Sequence, residues 1–188
     1  MSRAYRIKVN ESLLRVIRAT DHVSSTLELL EILPGKQMME LLDQELDRRG
    51  FKRQGDQTVR QEDNGVTVEV DLNSGTITVR AEESAEVRLT AERDGWTYER
   101  QNREQAAERL RSAMRKELEA QATHQEGELQ KSVTDRLEGC LADLKAELDQ
   151  VVNRVTAEAL KRKAASMGRI KEITDDPQTG SLTIVVEV

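Results

Sequence analysis

The sequence predicts an α+β protein: a small antiparallel-sheet domain with one short helix, a long helical arm, and a C-terminal β-hairpin returning to a sheet. Three observations predict it. The stretch Tyr98 to Met167 contains no proline and repeats apolar residues at three- and four-residue steps, which is a helical period. The stretch before it carries short β-branched runs between Gly, Asn and Asp turn signals. After it, Leu182 to Val188 is the most apolar extended run in the chain. The expected division is 1–96 sheet domain, 97–168 helical arm and 169–188 hairpin.

Taken in order, Tyr5, Ile7 and Val9 alternate with Arg6 and Lys8, the pattern of a half-buried strand. Asn10-Glu11-Ser12 is expected to turn the chain. Leu14 and Val16 resume an extended pattern, although Leu13 to Ile17 also fits a helical turn. Val23 to Leu33 mixes β-branched residues with a Leu-rich run and is read as strand. Pro34-Gly35 breaks the chain, and a short amphipathic helix follows at about Lys36 to Arg49, with Met38, Leu42 and Leu46 on one face and Met39 beside them. Gly50 is placed to end it, with Phe51 folding back on the last turn.

Turn signals then recur at Gly55-Asp56, Asp63-Asn64-Gly65, Asn73-Ser74-Gly75 and Asp94-Gly95. Between them lie the strand candidates 66–70, 76–79 and 87–90, an antiparallel meander with one wet face. Beyond the long helix, Asp175 to Gly180 reads as the turn of the final hairpin. A two-stranded hairpin is marginal in water. It is therefore expected to pair with the sheet domain, in the same or a neighbouring subunit.

The long stretch is rich in strong helix formers. Leu118, Leu129, Cys140 and Val151 are spaced by eleven residues, as are Ala122, Val133, Leu144 and Val155, and Leu137, Leu148 and Ala159. From Leu137 through Leu141, Leu144, Leu148, Val151 and Val155 a seven-residue reading fits equally. The expected helix-packing interface is Leu118, Leu129, Val133, Leu137, Leu141, Leu144, Leu148, Val151 and Val155. A seam of this kind needs covering by another part of the chain or by a second subunit. The interruption at Thr123-His124-Gln125-Glu126-Gly127 leaves a helical hairpin and a continuous helix both open. Glu99–Arg103, Arg100–Glu104, Arg115–Glu119 and Glu158–Arg162 are opposite charges four residues apart, each worth roughly 0.2–0.5 kcal/mol. Gly168 is the expected helix stop.

Composition narrows the function. Aromatic residues make up 2% of the chain, little material for a wide globular core. The net charge of −6 argues against nucleic-acid binding. No apolar run approaches a membrane span, and the first residues lack a hydrophobic signal core. Cys140 is the only cysteine, which excludes an intrachain disulfide and favours the cytoplasm.

No catalytic, cofactor-binding or metal site is expected. His22, His124 and Cys140 show no ligand spacing. Cys140 falls in an apolar row and reads as a packing residue rather than a nucleophile. Pro34-Gly35-Lys36 is a cap rather than a phosphate loop, and Lys161-Arg162-Lys163 complements a helix end.

The tail Arg154 to Val188 resembles a family of small uncharacterised cyanobacterial and plastid proteins, through its helix, Gly, strand and the run Gly180-Ser181-Leu182-Thr183-Ile184-Val185-Val186. The wider chain resembles accessory proteins of bacterial ternary systems that pair an FtsH-type protease, a von Willebrand A protein and a MoxR-type AAA+ ATPase. Ser2 to Ile7, Leu27 to Pro34 and Val152 to Leu160 carry that likeness. The resemblance implies partners in an ATPase-centred assembly and implies no reaction. The reading is a non-enzymatic accessory or scaffold protein, homo-oligomeric through its long helix, docking a MoxR-type ATPase or von Willebrand A protein. The alternative is a small-ligand or peptide-binding module using the sheet face or edge.

Overall fold

The computed structural model describes residues 4–98, 102–176 and 181–187. Its elements are β1 (Tyr5–Thr26), α1 (Gly35–Arg48), β2 (Lys52–Gln54), β3 (Gln57–Gln61), β4 (Val66–Asp71), β5 (Thr76–Thr97), α2 (Arg103–Met167), β6 (Arg169–Asp176) and β7 (Ser181–Glu187). The first five strands form one sheet in the order β1-β5-β4-β3-β2, and β6 and β7 form a second, two-stranded sheet. The α+β class expected from the sequence is the class observed. The chain forms two compact units, Met1–Asp21 with Glu82–Asp135, and His22–Ala81 with Arg136–Val188. Strands β1 and β5 and helix α2 each contribute to both units.

In the first unit, Ile7 and Val9 of β1 pack with Met114 of α2, which is fully buried, and with Ala91, Ala106, Ala107 and Leu110. Two expected turns are absent here. Asn10-Glu11-Ser12 stays in β1 because the Glu11 carboxylate is held by Arg115 at 3.2 Å and Arg111 at 4.0 Å. Asp94-Gly95 stays in β5, where Asp94 pairs with Arg6 and Glu92 with Lys8 across the strands. Gly95 also lies under the Leu110 side chain, whose Cδ2 a Cβ would meet at 3.4 Å. These contacts with distant parts of the chain outweigh the local turn preference.

Helix α2 is continuous, which settles the choice left open at Thr123 to Gly127. That segment is held by contacts a sequence pattern does not display. Ala122 is fully buried, Glu126 pairs with Arg15 at 2.9 Å, and the Thr123 hydroxyl donates to the Glu119 carbonyl at 3.0 Å. The helix begins at Arg103 rather than Tyr98. The predicted pairs Glu99–Arg103 and Arg100–Glu104 involve residues outside those described.

In the second unit, α1 runs one residue earlier than expected and buries Met38, Leu41, Leu42, Glu45 and Leu46. Its end matches the expectation. Gly50, at φ 85°, donates to the Asp47 carbonyl, and Phe51 N–H donates to the Leu46 carbonyl. These are the two bonds of a Schellman stop. Strand β1 ends at Thr26 rather than continuing to Leu33. Leu27 bonds to the Gly75 carbonyl, and Leu29 and Ile32 then make bonds to carbonyls two residues back, which do not propagate a strand. Strands β2 and β3 were not anticipated. They form a hairpin through Gly55-Asp56, with Gln54 opposite Gln57. Strand β4 presents Val66, Val68 and Val70 to the core, all fully buried, against Ala81, Val79 and Ile77 of β5.

The β6–β7 hairpin pairs Ile170 with Val186 and Ile173 with Ile184. Among the described residues its strands bond only to each other, so it does not join the five-stranded sheet of its own chain. The turn expected at Asp175 to Gly180 lies largely outside the described residues. Gly168 ends α2 by leaving room. A Cβ there would collide with the Glu187 carbonyl oxygen and lie 2.9 Å from Val186 Cγ1. Gly168→Ala is therefore expected to cost about 1–3 kcal/mol. Hydrogen exchange should show lost protection across residues 169–187, with the first unit unchanged.

Candidate functional site

Seven of the nine predicted packing residues of α2 are buried. Leu118, Val133, Leu137, Leu144, Leu148, Val151 and Val155 are buried within a single chain, while Leu129 and Leu141 are half-buried. The eleven-residue reading describes these positions, because Ala122 and Ala159 continue it at full burial and Glu158 is exposed. Another part of the chain covers most of the seam.

In the second unit the seam opens into a cleft. This cleft, of about 750 Å³, lies between the end of β1, the start of β5 and α2. Its floor is Ile77 and Val79 of β5 with Leu144 and Leu148 of α2. Leu141 and Val152 stand half-buried at its sides. Val23 is 42% exposed. The rim is polar: Ser25, Thr26 and Glu28 on one side, and Lys145, Asp149 and Asn153 on the helix. These three helix residues fall at four-residue steps and so share one face. A volume in this range holds a small molecule or several side chains of a peptide. The seam pattern pointed to Leu141, Leu144 and Leu148 but not to Val23 or the polar rim, which only the meeting of β1 with α2 defines.

A second cluster lies nearby in the same unit. The Arg60 guanidinium grips Glu147 through Nη1 at 2.8 Å and Nη2 at 2.7 Å. Its Nε donates to Glu62 at 2.7 Å, and Nη1 also donates to the Arg49 carbonyl at 3.0 Å. Its carbon lies 4.5 Å from the centre of the Phe51 ring, a cation–π contact. Arg49 reaches Glu147 at 3.7 Å and Glu45 at 3.1 Å, and Glu45 is buried. With these donors engaged, Arg60 is a clamp joining α1, β3 and α2 rather than a free anion receptor.

The Arg60 hydrogen bonds hold the Glu147 carboxyl below its ordinary value of 4.5, and the Arg60 and Arg49 charges add to the effect. A depressed carboxyl stabilises the fold above its unfolded pKa and loses that contribution as pH falls through the folded one. Stability is thus expected to decline on acidification from about pH 4.5 downward. Glu147→Gln should flatten that part of a pH series of urea titrations, because it removes the titrating group.

Beside this clamp is a smaller hollow of about 320 Å³, lined by Glu62, Asp63, Asn64, Asp143 and Cys140 among others. The Cys140 thiol lies 3.1 Å from the Leu137 carbonyl. Burial pushes its pKa up, and Glu62 and Asp143 push it further. A thiol shifted in this direction is a weak nucleophile at neutral pH, which agrees with a packing role. Among the described residues, no group of three or more His, Cys, Asp or Glu is placed to hold a metal ion. No described helix is long and apolar enough to cross a membrane.

Comparison with known families gives one decisive result. The model of the FtsH ternary system domain X5 matches residues 1–188. The chain belongs to the FtsH ternary system domain X5 family. That ties it to FtsH ternary systems, as the resemblance in the sequence implied, and marks it as an accessory domain of such a system. Neither the curated proteins nor the solved structures provide a match to this X5 chain.

Proposed function

We propose that this X5 chain is a non-enzymatic scaffold of its ternary system. It self-associates and docks an ATPase-centred partner, a MoxR-type AAA+ ATPase or a von Willebrand A protein, in the cytoplasm. The observation that carries the reading is the whole-chain family match. Two features of the site support it. Arg60 is engaged by its own chain, and the Cys140 thiol is shifted away from reactivity. Self-association would use the stretch of α2 left open at Leu141 and Val152.

The test is reconstitution. The purified chain is mixed with an FtsH-type protease, a MoxR-type ATPase and a von Willebrand A protein of such a system, and complexes are resolved by size exclusion with light scattering. Co-migration with the ATPase or the von Willebrand A protein, and no ATP turnover by the chain by itself, is the expected result. Failure to bind any component, or hydrolysis by the purified chain, would overturn the proposal. The cleft favours a second reading, a peptide-binding module. Saturable binding of partner-derived peptides with no assembly would select it.

A further inference from the structure

We infer that the cleft beside β1 is a receptor for strand β7 of a second copy of this chain. The inference rests on the self-association part of the proposed function and names the surfaces that carry it. Three observations converge on this occupant.

The first is the state of the hairpin. β6 and β7 bond to each other and, among the described residues, to no other strand. A lone two-stranded sheet is marginal in water. Ile173 and Val185 are 44% and 43% exposed, and Leu182, Ile184 and Val186 are half-buried. Strand β7 also lacks the lysine or proline that guards an exposed edge, and Glu187 is its one charge.

The second is the state of β1. It stands at the margin of the five-stranded sheet, bonded to β5 on one side. Its last residues, Val23 to Thr26, carry no charge and no proline, so they too are unguarded. Their backbone groups facing away from β5 are available to an added strand.

The third is side-chain chemistry. A strand laid along Val23 to Thr26 turns alternate side chains toward the cleft and the others toward the wet face. Strand β7 has that alternation: Leu182, Ile184 and Val186 on one face, Thr183, Val185 and Glu187 on the other. The cleft floor of Ile77, Val79, Leu144 and Leu148 matches the first set. Glu28, Lys145 and Asp149 remain at the rim in water. Each copy carries one donor strand and one receptor cleft, so reciprocal exchange gives a closed two-fold dimer.

The experiment uses the full chain. Two proteins are made on a Cys140→Ser background, one with Ser24→Cys and one with Thr183→Cys; both positions are exposed. Treatment of the mixture with a short bismaleimide tests for a covalent pair, and light scattering measures association of the unmodified chain. The expected result is a concentration-dependent dimer and a 24–183 cross-link in the mixture. Val23→Lys, at a solvent-accessible position, should weaken association at least about tenfold, about 1.4 kcal/mol, with an unchanged far-ultraviolet circular dichroism spectrum. A chain that stays monomeric would overturn both this inference and self-association. A dimer indifferent to Val23→Lys and without the cross-link would overturn the inference while leaving self-association standing.

Discussion

Phe51→Ala is expected to lower the unfolding free energy by about 3–5 kcal/mol, the range for removing a buried aromatic ring. Phe51 is 1% exposed, and it has three roles. Its N–H closes the end of α1 on the Leu46 carbonyl. Its ring fills the core beneath α1, where Leu42 and Leu46 are fully buried. Its face supports the Arg60 guanidinium. Alanine keeps the backbone bond but leaves a cavity and withdraws the support. The loss belongs to the second unit. Urea titration followed by hydrogen exchange over residues 36–61 is the appropriate measurement. Fluorescence is not, because Trp96 lies in the first unit and is 64% exposed. A loss below about 1 kcal/mol would mean that Phe51 is not the keystone its burial indicates.

Glu147→Ala is expected to cost about 1–3 kcal/mol. Truncating one member of a buried charged pair costs more than the pair contributes, because the survivor keeps its desolvation penalty. Here the partners are 17% and 26% exposed, so the penalty is partial, and Glu62 still holds Arg60 Nε. Arg49 also loses a neighbour, although Glu45 remains at 3.1 Å. Phe51→Ala and Glu147→Ala both disturb the seat of Arg60. Their combined effect should therefore fall short of the sum by at least about 0.5 kcal/mol. Strict additivity in that double-mutant cycle would show that the clamp and the ring act independently.

The α1 stop was legible because Gly50-Phe51 after an amphipathic run is a local signal with a local cause. The apolar period of α2 was legible because it is a property of the helix itself. Arg60 and Glu147 are 87 residues apart, and nothing around either distinguishes it from the other surface charges of a highly charged chain. Val23 was invisible as a cleft residue, since its exposure arises where β1 ends beside α2. The turns expected at Asn10 to Ser12 and at Asp94-Gly95 failed for the same kind of reason. Local preference was overruled by Glu11 pairing to the helix and by Asp94 pairing to Arg6.

What the sequence by itself determined was the kind and order of the pieces: strands, a short capped helix, a meander, a long amphipathic helix and a terminal hairpin. These follow from side-chain periodicity and turn chemistry, which act over a few residues and need no distant partner. What only the tertiary structure decided was which surfaces meet. It made α2 continuous, closed most of the seam with the chain's own residues, joined Arg60 to Glu147, left the cleft beside β1 open and left β6–β7 as a sheet apart. Burial and charge pairing between residues far apart in the chain depend on how elements pack, and no short window of sequence encodes that.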